Sequence, residues 1–185
     1  MGRPNRLRCI HRPYRHRQQG HPLLHGQAAQ VDTDTLRNAF GEIHQRMQAA
    51  KAEQSKAVIE EGEAYLAKNA EREEVTVTES GLQYEIIEAG EGDKPAADSN
   101  VRVHYHGTLI DGSVFDSSYK RGQPAEFPVN GVIRGWTEAL QLMPVGSKWK
   151  LYIPYELAYG EQGAGGAIAP YSTLVFDVEL LDILG

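Results

Sequence analysis

The segment from Val103 to Ser118, VHYHGTLIDGSVFDSS, sets two histidines, a tyrosine and two aspartates among apolar residues. That inventory suits a metal site, an acid–base site or neither. His104 and His106 stand two apart, which puts both imidazoles on one face of a strand. A zinc site needs a third protein ligand and usually a fourth, yet no histidine follows His106. No metal is therefore expected, and the pair reads as two exposed strand histidines opposite a buried tyrosine. Nucleophilic chemistry has little support either. Ser117 and Ser118 follow Asp116 with no histidine placed in the sequence to serve as base, and no GxSxG elbow occurs. The glycine-rich run YGEQGAGGAIAP (Tyr159 to Pro170) lacks GK[ST] and is not followed by a helix. It is a poor phosphate cradle and reads as a long flap bearing one apolar residue, Ile168.

What remains is a set of aromatics with almost no titratable group among them: Tyr105, Phe115, Trp136, Tyr159 and Phe176. Such a set suits an apolar, ring-shaped ligand. The one carboxylate beside them, Asp116, needs a partner to sit near an apolar surface. Arg121, five residues on, is available.

These residues must be positioned by strands and one helix. In GLQYEIIEAG, Leu82, Tyr84 and Ile86 alternate with Gln83, Glu85 and Ile87, a period of two. Val101, Val103, Tyr105 and Leu109 share one face of the next strand, and Arg102, His104, His106 and Thr108 share the other. Asp111-Gly112 then predicts a hairpin turn that needs positive backbone angles, with a strand through Val114 and Phe115 after it. KWKLYIP and TLVFDVELLDIL alternate again. Between them IRGWTEALQLMPVG predicts one short amphipathic helix, with Trp136, Ala139, Leu140 and Met143 on a face and Pro144 and Gly146 stopping it. The class is α+β: an antiparallel sheet of at least five strands with one helix on its inner face.

The chain has 185 residues, enough for one well-cored domain and an appendage. Its single cysteine, Cys9, forms no disulfide within the chain. No run of 18 apolar residues occurs, so no membrane span is expected. Residues 1–31 are rich in arginine (Arg3, Arg6, Arg8, Arg12, Arg15, Arg17) and hold no acid, with scattered prolines and no period. They are expected to be disordered. After those six arginines, 13 of the 19 basic residues face all 25 acidic ones, which argues against nucleic acid as a partner of the folded part. Residues 1–31 also lack a continuous apolar leader, so a cytoplasmic location is expected. Residues 32–74 are rich in Ala, Glu, Gln, Lys and Arg and predict a long helical stalk whose middle projects into solvent. Leu36, Phe40, Ile43 and Met47 form one narrow apolar stripe, which suits self-association.

HYHGTLIDGSVFDSS, GVIRGW, MPVGSKWKLYIP, LAYG and TLVFDVELL occur in order with compatible spacing. Over residues 78–185 they resemble the FKBP-type peptidyl-prolyl cis-trans isomerases, and the stalk ahead of them resembles that of the macrophage infectivity potentiator branch, whose members dimerise through N-terminal helices. The resemblance implies a five- to six-stranded antiparallel sheet wrapped around one short helix, preceded by a long N-terminal helix. It implies an enzyme without cofactor that turns Xaa-Pro bonds in unfolded or partly folded polypeptides, acts as a folding assistant, and forms a homodimer through the stalk. By that resemblance Trp136 is the pocket floor, and Tyr105, Phe115, Val132, Ile133, Ile168 and Phe176 are its walls. The Ile133 N–H and the Tyr159 hydroxyl donate to substrate carbonyls, and Asp116 lines the edge, bonded to Tyr105 and paired with Arg121. Ala125, Ala164 and Ala169 stand where bulkier residues are common in the family, which implies a shallower rim for macrocyclic inhibitors such as rapamycin. The same alanines leave room for another reading, a proline-segment binding module with incidental turnover.

Overall fold

The structure is a computed structural model that describes residues 33–185. The arginine-rich segment expected to be disordered lies outside the described residues. The chain divides between Glu42 and Ile43 into two compact units. In the first, residues 33–42 are described and all are helical, with Leu36 and Phe40 exposed. The second unit, Ile43–Gly185, holds the rest of that helix and the whole sheet.

Helix α1 runs Thr33–Ala70. Its strong helix formers account for the length, and side chains from Leu36 to Gln54 are exposed. Only its last turns are buried. Tyr65 and Leu66 pack with Val75, Tyr152, Val175 and Ile110 on the outer face of the sheet. A polar network reinforces that contact. Arg72 donates to the Tyr152 hydroxyl at 3.0 Å and pairs with Glu85 at 3.0 Å, while the Asn69 amide donates to Gln83 Oε1 at 2.9 Å and Gln83 Nε2 donates to the Leu66 carbonyl at 2.9 Å. The Tyr152 hydroxyl also donates to Glu85. Burial and Glu85 push the phenol up to about 12 against the pull of Arg72.

The sheet has seven strands: β1 (Val75–Val77), β2 (Gln83–Glu88), β3 (Asn100–Leu109), β4 (Val114–Ser117), β5 (Ala125–Pro128), β6 (Lys148–Ile153) and β7 (Leu174–Ile183). Their order is β1-β2-β6-β7-β3-β4, with β5 also pairing β3, and every pairing is antiparallel. The two strands beyond those read from periodicity, β1 and β5, are too short to show a pattern of two. Helix α2 (Ser118–Arg121) follows β4 directly, and helix α3 (Arg134–Leu142) lies on the inner face. Helix α3 buries Trp136, Ala139 and Leu140, and Met143 follows it into the core. Each large side chain buried there contributes about 1.5–3 kcal/mol. The sheet supplies Val101, Val103, Leu151, Ile153, Leu174 and Val178 opposite.

The turn after β3 differs in detail from the expectation. Gly112 takes positive φ (86°), and Asp111 does not; its carboxylate instead accepts the Ser113 N–H at 2.7 Å. The two strand histidines face outward as expected, yet both are half-buried and engaged. His104 stacks on Tyr119 at 4.6 Å with Nδ1 2.9 Å from Ser118 Oγ, and His106 Nδ1 lies 3.0 Å from Ser117 Oγ. Among the described residues no three His, Cys, Asp or Glu side chains are grouped to share a metal ion, and no helix is long and apolar enough to cross a membrane.

Candidate functional site

A cavity of about 470 Å³ opens at the edge of the core. Strand β3 brings Tyr105 to it, β4 brings Phe115 and Asp116, β5 brings Phe127, α3 brings Trp136, and β7 brings Phe176. The loop before α3 adds Gly131, Val132 and Ile133, and Tyr159 follows the short helical turn Tyr155–Leu157.

Two neighbours on one strand normally face opposite sides of a sheet, so Phe115 and Asp116 on the same cavity need an explanation. The register supplies it. Gly107 pairs with Asp116 and Thr108 with Val114, which leaves Phe115 as an unpaired extra residue in a bulge. A bulge re-aims a side chain at the cost of one ladder position. Gly107 makes room for the result: a Cβ there would stand 2.6 Å from Phe115 Cζ and 2.8 Å from Phe176 Cε1. Gly135 does the same beneath the floor, where a Cβ would meet Ile153 Cγ2 at 2.6 Å. Helix α3 is thereby seated close enough to the sheet to present Trp136.

The indole of Trp136 is 4% exposed and is met nearly edge-on by three rings: Tyr105 at 5.3 Å, Phe127 at 5.8 Å and Phe176 at 5.2 Å, with interplanar angles of 81°, 88° and 81°. Phe115 meets Phe176 at 5.4 Å and 87°. Edge-to-face pairs are each worth about 0.5–1.5 kcal/mol beyond burial, so the floor is rigid. At the rim the Tyr105 hydroxyl donates to Asp116 Oδ2 at 2.5 Å and accepts from Arg121 Nη2 at 2.7 Å, while Arg121 Nη1 pairs with Asp116 Oδ1. Burial pushes the Asp116 carboxyl up, but the Tyr105 hydroxyl, the Arg121 guanidinium and the Ser117 N–H outweigh it and hold the group below the ordinary carboxylate range. Burial first, then Asp116, push the Tyr105 phenol above its ordinary value against Arg121. At neutral pH the trio is a carboxylate, a neutral phenol and a guanidinium with no net charge, which suits the edge of an apolar cavity.

Two donors are left over. The Tyr159 hydroxyl (residue 41% exposed) and the Ile133 N–H have no hydrogen-bond partner among the described residues.

Eight of the ten residues expected at the site line this cavity: Tyr105, Phe115, Asp116, Val132, Ile133, Trp136, Tyr159 and Phe176. Arg121 is not a lining residue; it stands behind Asp116 with its guanidinium 5.4 Å from the Tyr105 ring centroid. Ile168, 7% exposed and held by the Ala164–Ile168 bridge of the flap, is buried in the same core cluster as Tyr105, Trp136 and Phe176 but is not a lining residue of the cavity. Phe127 and Gly131 line the cavity without having been singled out in the sequence. Phe127 carried a weak signal in the alternation Ala125, Glu126, Phe127.

The family described as FKBP-type peptidyl-prolyl cis-trans isomerase matches residues 91–181, and the domain described as amino terminal to it matches residues 21–86. The chain is 60% identical over 161 residues to the FKBP-type 22 kDa peptidyl-prolyl cis-trans isomerase of Escherichia coli K12, covering 87% of this chain and 78% of that one. It is 52% identical over 133 residues to outer membrane protein MIP of Legionella longbeachae, of which it spans 56%. The crystal structure of FkpA from Escherichia coli superposes with a TM-score of 0.74 at 42% identity, over 83% of this chain and 74% of that chain. The cytoplasmic location expected above is corrected by these relatives, one of which is named as an outer membrane protein. That expectation had rested on residues outside the described part.

Proposed function

The chain belongs to the FKBP-type peptidyl-prolyl cis-trans isomerase family, as an isomerase with a folding-assistant role, and from that premise we propose that the aromatic cavity is where Xaa-Pro bonds are turned. The observation that carries this reading is the floor: one indole, fixed edge-on by three rings, beneath a cavity with no net charge at its rim.

Rotation about an amide faces a barrier of about 18–20 kcal/mol because resonance holds the bond planar, and the Xaa-Pro bond isomerises slowly for the same reason. The planar form carries more charge separation than the twisted one. An apolar cavity therefore penalises the planar states more, and binding the twisted amide better than either end state is catalysis by differential binding. In this reading the prolyl ring lies on Trp136 between Phe115, Phe127 and Phe176. The Ile133 N–H and the Tyr159 hydroxyl donate to the flanking substrate carbonyls and fix the chain while the amide turns. Asp116, held by Tyr105 and Arg121, keeps the rim open and polar without placing net charge on the reacting bond. No proton or covalent bond is exchanged.

A proline-binding module with incidental turnover is not favoured, since the relatives are named as isomerases and the aromatic set is complete. Macrocyclic inhibitors are proposed as ligands of the same cavity, weakened by the single methyls of Ala125, Ala164 and Ala169. Self-association is proposed through the stripe Leu36, Phe40, Ile43 and Met47, all exposed on α1, because nothing among the described residues buries it. Light scattering on the full chain checks it, and a monomer at micromolar concentration overturns it. A coupled assay on an Xaa-Pro peptide checks the cavity: full turnover after Trp136→Ala, Phe115→Ala and Asp116→Ala together would remove the site.

A further inference from the structure

Beside the cavity lies a second groove, of about 380 Å³, lined by Asn130, Val132, Arg134, Thr137, Glu138 and Gln141. Val132 belongs to both. A polypeptide whose proline occupies the cavity and whose next residues cross Val132 therefore runs directly into this groove.

What the groove offers follows from which of its polar groups are already engaged. The Thr137 hydroxyl donates to the Val129 carbonyl at 2.7 Å, and the Gln141 amide donates to the Thr137 carbonyl at 2.8 Å. Glu138 accepts from the Ser80 hydroxyl at 2.6 Å, beside a separate recess that the two residues share. Arg72, Arg102 and Arg121 each hold a carboxylate. Arg134 has no hydrogen-bond or ion-pair partner among the described residues. The unengaged groups are thus one guanidinium and the Asn130 amide, and the one carboxylate of the groove is already bonded elsewhere.

Resting on the reading of the cavity as the prolyl site, we infer that Arg134 is a specificity-determining residue: it selects substrate chains carrying a carboxylate side chain within three positions of the proline, on the flank that crosses Val132. Three extended residues reach about 10 Å, which spans a groove bordering the cavity. A guanidinium is the side chain best fitted to take a carboxylate through two parallel hydrogen bonds. The overall negative charge of the chain, −6, opposes this only weakly. Repulsion from charges farther than about 8 Å is screened at physiological ionic strength, and the local pair decides.

The test uses the full chain and a series of Xaa-Pro peptides that carry Glu, Gln or Lys at each of the three positions on either side of the proline. Turnover is read as kcat/KM, and the ratio of the Glu to the Lys peptide is taken within each enzyme, so that a change in overall activity or folding cancels. On one flank the ratio should be about three- to fivefold, as for a single partly exposed ion pair. It should fall to about one in Arg134→Gln, invert in Arg134→Glu, and shrink in 1 M salt. A ratio of one at every position, a preference for Lys, or a Glu preference that survives Arg134→Gln overturns the inference. A failure of the isomerase reading is told apart from this: the wild-type chain would then turn over none of the peptides, and fluorescence anisotropy on the same labelled peptides would still show whether Glu is bound over Lys through Arg134.

Discussion

Strands β6 and β7 send alternate residues to two faces, and the two faces use opposite chemistries. On the inner face Leu151, Ile153 and Phe176 join a core in which rings and aliphatic chains do nearly all the work, and charge is confined to the Asp116–Arg121 pair at the rim. On the outer face Tyr152 and Val175 meet the end of α1 through a small apolar patch, and the rest of the contact is polar: Arg72, Glu85, Asn69 and Gln83. Each chemistry suits the task of its face. A surface that must prefer a twisted, less polar amide is kept dry, whereas a surface that only has to hold a helix tolerates hydrogen bonds whose strength is nearly cancelled by water.

Substitutions that move one face without the other would sharpen this contrast. The largest effect is expected at Trp136. Trp136→Ala removes the floor and should cost about 3–5 kcal/mol of stability, visible as a lower denaturant midpoint, and should bring turnover per folded molecule close to the uncatalysed rate. Near-normal turnover in the folded fraction would break the assignment of the inner face. Next comes Gln83→Leu on the outer face. It leaves the buried Asn69 amide without its acceptor, for about 1–3 kcal/mol in a urea titration, with turnover per folded molecule unchanged; a matching loss of activity would show that the faces are coupled. A smaller effect is expected for Asp116→Asn, which keeps the shape and removes the charge. Exchanging a charge-assisted hydrogen bond for a neutral one, a difference of about 1 kcal/mol, should slow turnover roughly fivefold.

The smallest effect should be that of pH. Asp116 titrates below the ordinary carboxylate value of about 3.9 and Tyr105 above its ordinary value of about 10. Kinetics between about pH 6 and 8 should therefore be flat, since neither group changes its proton there. Because the folded carboxyl is depressed, the stability it contributes is complete above its unfolded value and is lost as pH falls through the folded one. Stability should decline below about pH 4, and less so in Asp116→Asn. A sloping profile at neutral pH would show that another group enters the reaction.

Most of this architecture was written in periodicities. The alternation at Val101–Leu109 and Leu174–Ile183 and the helical spacing of Trp136, Ala139, Leu140 and Met143 gave the sheet, the helix and the lining residues Tyr105, Trp136 and Phe176, whereas Val132 and Ile133 came only with the family resemblance. What escaped was set by register and by turns. The bulge that aims Phe115 and Asp116 together depends on which residue of β3 faces which residue of β4, and no composition of either strand states that. Phe127 sits on a four-residue strand ending in proline, too short to show a period. The burial of Ile168 was hidden for a similar reason: a glycine-rich flap leaves direction to tertiary contacts, here the Ala164–Ile168 bridge. The polar network at the end of α1 was equally hidden, since Arg72 and Tyr152 lie 80 residues apart.

The chain has two tryptophans, Trp136 and Trp149, and the indole N–H of each is buried without a hydrogen-bond partner among the described residues. Both should emit at the short-wavelength end of the tryptophan range, but Trp136 lines the cavity, whereas Trp149 lies stacked on Tyr84 at 4.4 Å. In a Trp149→Phe chain the remaining emission would come from the floor alone. Its intensity and colour would then follow each molecule that settles on it, a built-in titration signal needing no label on protein or peptide.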